Sequence, residues 1–349
     1  MSRLAALLLI MTSLIACREC DSNNPDPGTD AGADTDAEPG LEQPFDPNTL
    51  GWGLHVIARN NLDIYVAGGT PDRGVILHFD GVEWASEELP TDTPLVNWIG
   101  LFDGEMVAVG NAGTILWHDG GQWVTQDSPT TEDLWGVWGA GSDDVWAVGG
   151  EGRAEGQATV LRYDGDDWVT ADVPELDRPG VNAFFKVWGT AADNVYIVGQ
   201  NGACLHWDGV MLTEVGVGTS EDLISLWGTG PDDIVLVGGR GNGVLSHWNG
   251  ASWYTASIAP APGINGIWMP APGEFWLAGV RGTLRRGTVN AGTDGERSFD
   301  VLRTKPLSED DLHAVYGVTD YGLIAVGGNF ALQDGPYVGL AFLRTEDWQ

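Results

Sequence analysis

Trp146-Ala147-Val148-Gly149-Gly150, with Tyr163-Asp164-Gly165 and Trp168 behind it, contains in short form the plan of the whole 349-residue chain. Its apolar run closed by Gly returns six more times, at Tyr65–Gly68, Val107–Gly110, Tyr196–Gly199, Val235–Gly238, Trp276–Gly279 and Ile324–Gly327. Runs this short, rich in β-branched and aromatic residues, are strands and not helices. Their period of 39 to 50 residues matches one four-stranded propeller blade, about 40–50 residues long. Each copy divides into four pieces. The first carries Trp-Gly or a variant: Trp98 with Gly100, Trp138-Gly139, Trp188-Gly189, Trp227-Gly228, Trp268 and Tyr316-Gly317. The second is the Gly-closed run. The third ends on Asp-Gly or Asn-Gly, at Gly81, Gly120, Gly165, Gly209 and Gly250, and the fourth begins at Trp84, Trp123, Trp168, Leu212 and Trp253. Asp-Gly between apolar runs predicts a hairpin with a primed turn, where φ is positive. Gly in the innermost strand suits a place where backbones crowd the axis. The fold expected is all-β, a seven-bladed β-propeller of four-stranded blades over residues 49–349.

Two copies depart from the pattern. The sixth has Arg285-Arg286-Gly287 in place of Asp-Gly, then an insertion through Asp300. The seventh stops at Trp348-Gln349 without an outer strand, and the segment near Gln43–Leu50 is expected to supply it.

Ahead of the repeats, Arg3 and the apolar run Leu4–Ala16 are too short to span a bilayer and predict a signal peptide over residues 1–16. The run ends Leu14-Ile15-Ala16-Cys17, which resembles the bacterial lipobox. That resemblance implies cleavage before Cys17, acylation of Cys17, and attachment to the membrane through this residue alone. Arg18 at the next position, where the inner-membrane retention signal has Asp, implies the outer membrane or cell surface. Residues 17–48 are rich in Asp, Pro and Gly and poor in apolar mass, as expected of a disordered acidic tether. Asp34, Asp36 and Glu38 do not make a calcium loop, because Pro39 stands where Gly is required and Phe45 where the bidentate Glu belongs.

The apolar run, double Gly, Tyr-Asp and later Trp resemble the kelch repeat, and the whole is similar to the Trp-Gly-rich propeller lipoproteins of bacteria. The resemblance spans about 300 residues and implies fold and location rather than a reaction.

With 16 Lys and Arg against 50 Asp and Glu, the net charge of −34 excludes a nucleic-acid backbone as partner. No metal or cofactor is expected. His78, His118, His206 and His247 recur at like positions of third strands, too far apart around a ring to share one ion, and predict hairpin packing. The doublets Asp143-Asp144, Asp166-Asp167, Asp232-Asp233 and Asp310-Asp311 fall in turns, where adventitious Ca2+ is conceivable but solvated capping is expected. No nucleophile elbow occurs. Cys204 sits in a strand where a small buried residue is expected, and whether it pairs with Cys20 is left open. The loops joining second to third strands should surround the channel mouth. They carry Arg73, Arg153, Arg240 and Arg281 with Asn201 and Asn242, a set suited to carboxylates or glycan hydroxyls. The function expected is a monomeric, non-enzymatic binding or scaffold module for an envelope protein or carbohydrate. The alternative, an envelope hydrolase or lyase at the channel mouth, requires titratable groups converging on the axis. A lectin with a pocket between each pair of blades would instead repeat surface Trp beside Arg or Glu.

Overall fold

The computed structural model describes residues 40–348 apart from 153–155, 293–295, 331 and 333. The leader, Cys17, Cys20 and Arg153 lie outside the described residues. Seven four-stranded antiparallel sheets follow one another along the chain, here called blades 1 to 7. Their first strands are Trp52–Asn60, Val96–Phe102, Leu134–Gly141, Phe184–Ala191, Leu223–Gly230, Ile264–Ala271 and Asp311–Val318. Each of these touches its counterparts in the adjacent blades, so they form the inner ring around the axis. The Gly-closed runs are the second strands, and the outer strands of blades 1 to 5 begin at the five residues that the repeat spacing marks.

Blade 7 takes its fourth strand from the other end of the domain: Leu41 pairs with Arg344 and Glu42 with Leu343. The closing strand therefore lies just ahead of the expected Gln43–Leu50. That segment instead carries the chain across to blade 1, with Phe45 on Trp84 at 4.9 Å and Leu50 fully buried. Because Leu41 and Glu42 complete a sheet, the propeller begins at about residue 40 rather than at 49. The insertion in blade 6 is a lengthened hairpin, Thr283–Ala291 with Arg297–Val301.

Apolar mass is packed between neighbouring sheets, blade against blade, as in the cluster that joins Val107, Val109 and Ile115 of blade 2 to Val137, Val145 and Leu161 of blade 3. The Trp-Gly pairs are the joints of this packing. A Cβ on Gly189 would come closer than 3 Å to the ring of Trp138, one on Gly228 to Trp188, and one on Gly317 to Trp268. The ring of one blade thus fills the space that glycine leaves in the next. This differs from the expected crowding of backbones, which is real but belongs to Gly266, whose Cβ would meet the His313 carbonyl. The Gly that closes each second strand has another cause: in all seven blades its Cβ would lie within 2.5 Å of a carbonyl at the entry to the inner strand.

The Asp-Gly hairpins also differ from expectation. Their loops hold four residues, such as Asp80–Glu83 between Phe79 and Trp84. Asp80 Oδ1 accepts the N–H groups of Val82 and Glu83, and Gly81 takes a φ of +91°. Asp119, Asp164, Asp208 and Asn249 repeat this cap. Backbone N–H donors hold the carboxyls of Asp80, Asp119, Asp164 and Asp208 below their ordinary range.

Candidate functional site

The inner strands begin at the same face on which the second strands end, so the second-to-third loops and the entries to each blade share one rim. Arg73 is exposed there, opening a third strand across a two-residue turn from Thr70. Arg240 is held by Asp222 at 2.7 Å and lies 5.7 Å from the Phe185 ring centroid. Asn201 serves its own loop: with φ at +55° it donates its side-chain amide to the carbonyls of Pro179 and Gly180. Its backbone N–H reaches Asp222 of the next blade at 2.8 Å, and Ala112 to Asp133 and Arg281 to Asp311 repeat this tie. The positive-φ turn is thus a staple between blades, and Arg281 projects its exposed side chain from one of them.

Arg281 and Asn242 come together in a cleft of about 350 Å³ between blades 5 and 6, shared with Pro260, Thr283, Arg285 and Thr304. Among the described residues no acidic side chain lines it. Arg285 is half-buried, and its Nε is buried without a hydrogen-bond partner among the described residues. Burial, and then the neighbouring charge of Arg303, lower its pKa from the ordinary guanidinium value. A guanidinium with unused donors in a cleft without carboxylates is arranged to receive an anionic group. The structure does not bring Arg73 or Arg240 into this cleft. In the sequence Arg285 shows only as a break in the hairpin pattern, and that break is its one signal.

The axis itself carries chemistry that no motif marks. All seven inner strands have a shifted register near their entry, and the residue after the shift is His55, Trp98, Gly136, Lys186, Ser225, Gly266 and Ala314 in blades 1 to 7. Trp98 thus sits two residues ahead of the Trp that packs between blades elsewhere, and Gly100 takes that place. Lys186 passes over Gly136, its Cδ 3.3 Å from where a Cβ would stand. It donates from Nζ to the Trp135 carbonyl at 2.6 Å and places Nζ 3.8 Å from the Trp98 ring centroid. The other neighbour of Trp98 is His55, stacked at 3.4 Å. Burial brings Lys186 down to about 7 and His313 to about 4. Burial first, then the charges of Lys186 and His313, lower His55. The visible signal was a lysine on an inner strand in a chain with only Lys186 and Lys305.

The third-strand histidines are tied to their sheets, as their recurrence predicted. His78 reaches Asp63 and Glu87, His206 reaches Asn194, and His247 reaches Asp233. Among the described residues no group of three or more His, Cys, Asp or Glu is placed to hold a metal ion. The Asp doublets have structural partners: Asp144 pairs with Arg162 at 2.8 Å, and Asp311 accepts the Arg281 N–H. Cys204 is fully buried, which pushes its thiol up to about 12.

No protein-family model matches the chain, and no curated protein matches it in sequence. Solved structures match it in fold. The WD40 repeats of RRP9 superpose with a TM-score of 0.65 at 11% identity, covering 88% of this chain and 98% of that one. YCF48 bound to D1 peptide gives 0.60 at 16% identity, covering 89% and 98%. The extracellular domain of the one component system BT4673 from B. thetaiotaomicron gives 0.62 at 12% identity, covering 89% of this chain and 40% of that one. These likenesses are of fold: the chain is a seven-bladed propeller, and WD40 propellers are among the structures it resembles.

Proposed function

We propose that this propeller is a binding module, tethered to the bacterial envelope through acylated Cys17, which holds a carboxylate-bearing protein or glycan on its rim. The reading rests on the cleft between blades 5 and 6. In a chain of net charge −34, Arg281 and Arg285 meet there with no acidic residue in the lining among the described residues. Two further features support it. A propeller of the same fold is seen with a peptide bound, and another is the extracellular domain of a bacterial protein. The lipobox-like Leu14-Ile15-Ala16-Cys17 and the resemblance to Trp-Gly-rich propeller lipoproteins support the anchored location.

Titration of the soluble domain with an acidic peptide and with polygalacturonate tests the site. Arg281→Ala with Arg285→Ala should weaken binding at least tenfold, because two charge-assisted contacts are lost. Undiminished binding by the double variant removes the cleft from the account. Labelling with radioactive palmitate should be lost in Cys17→Ala, and labelling that persists would refute the anchor.

The hydrolase or lyase alternative gains one observation, the convergence of His55, Lys186 and His313 near the axis. All three are bases, and no carboxylate pairs with any of them among the described residues. Hydrolysis by a pair of carboxylates is therefore not what this cluster is built for.

A further inference from the structure

Binding at the rim makes no use of Lys186, yet the surroundings of this amine are unusual. It is 5% exposed and forms no ion pair among the described residues, although the chain holds 50 carboxylates. Its fixed contacts are one carbonyl, that of Trp135, and one aromatic face, that of Trp98. Trp98, Trp135, Phe185 and His313 around it are half-buried, so parts of the cluster's wall meet solvent. The two histidines present opposite hydrogen-bonding faces. His55 Nδ1 accepts the Ile99 N–H, which leaves its proton on Nε2. His313 Nδ1–H donates to the Leu54 carbonyl, which leaves an acceptor at Nε2.

A lysine desolvated without a counter-ion spends part of its time as the neutral amine, which is the nucleophilic form. We propose that Lys186 captures small aldehydes that enter from the channel mouth, forming a reversible imine at Nζ. The nitrogen lone pair adds to the carbonyl carbon as the C=O π electrons move to oxygen. That oxygen gains a proton and the nitrogen loses one, giving a carbinolamine. Loss of water then forms the C=N bond, so amine and aldehyde become imine and water with no oxidant or reductant consumed. Water exchanges these protons, and His55 and His313, which feel the charge of Lys186, belong to the same cluster. The Trp98 face stabilises the protonated imine as it does the ammonium. Aromatic walls favour small, uncharged aldehydes over charged ones.

The chain carries its own comparator, since its other lysine, Lys305, is exposed. The full-length protein would be treated with propionaldehyde and cyanoborohydride, then mapped by peptide mass spectrometry. At pH 7, Lys186 should be alkylated at least tenfold faster than Lys305, and its rate should fall as the pH is lowered through about 7. The proposal is overturned if folded protein labels Lys186 no faster than Lys305, or if Lys186 reacts only in denaturant. Because the readout is a mass on one residue, its failure leaves the rim-binding reading untouched.

Discussion

Lys186 and His313 make stability depend on pH in two separate windows. Burial lowers Lys186 from 10.5 to about 7. Between those values the unfolded chain binds more protons than the folded one, so stability rises with pH and is lowest at and below 7. Lys186→Met should therefore stabilise the domain at pH 7 by on the order of 4 kcal/mol. It should also flatten the rise between pH 7 and 9 in chemical-denaturation midpoints. A variant no more stable than the parent would show that the ammonium is not penalised. Burial likewise lowers His313 from 6.5 to about 4, so stability is lost as the pH falls from 6.5 towards 4. His313 bonds to the next inner strand, and at the same position Asn97 and Asn265 donate to the carbonyls of Leu134 and Leu312. His313→Asn should keep this bond and be about 2 kcal/mol less destabilised at pH 5 than the parent. Equal acid sensitivity in urea melts would contradict the assignment.

At the level of the strand, the repeat spacing was readable because the cause of each repeated residue is local. The closing Gly of every second strand meets a carbonyl of its own blade, and the Asp of each hairpin caps its own loop. Register and strand starts follow from such residues. What the repeats do not encode is contact between blades. The use of Gly189 to seat Trp138 is visible only when the two blades are side by side. The position of the closing strand escaped for the same reason: Leu41 and Glu42 carry no repeat signature, and their pairing depends on where the ring ends. Nor could the repeat place Arg281 and Arg285, four residues apart in blade 6, against Asn242 and Pro260 of blade 5, since that approach exists only across the seam. The two-residue closing strand and the packed Phe45 and Leu50 predict that removing residues 40–50 lowers stability by several kcal/mol, since each buried apolar side chain contributes about 1.5–3 kcal/mol. An unchanged denaturation midpoint would show that the ring does not depend on this closure.

In the whole molecule, two hollows differ in the charge of their linings. The rim at the blade 5–6 seam is lined by arginine, whereas a hollow of about 580 Å³ at blade 7 is lined by Asp320 and Asp347 with Tyr321, Thr345 and Trp348. No aromatic side chain is exposed among the described residues, which favours recognition through charge and hydrogen bonds over a sugar-stacking face. Interactions of exposed charges weaken with salt, so rim binding should decline as ionic strength rises. Hydrogen exchange measured with and without a bound acidic peptide examines the functional reading most directly. Slower exchange is predicted around Gly241–Asn242, Pro260–Pro262, Arg281–Arg285 and Thr304–Pro306, with no change at Asp320–Tyr321 or Thr345–Trp348. Protection confined to the blade 7 hollow, or absent from the arginine-lined seam while the peptide is bound, would contradict it.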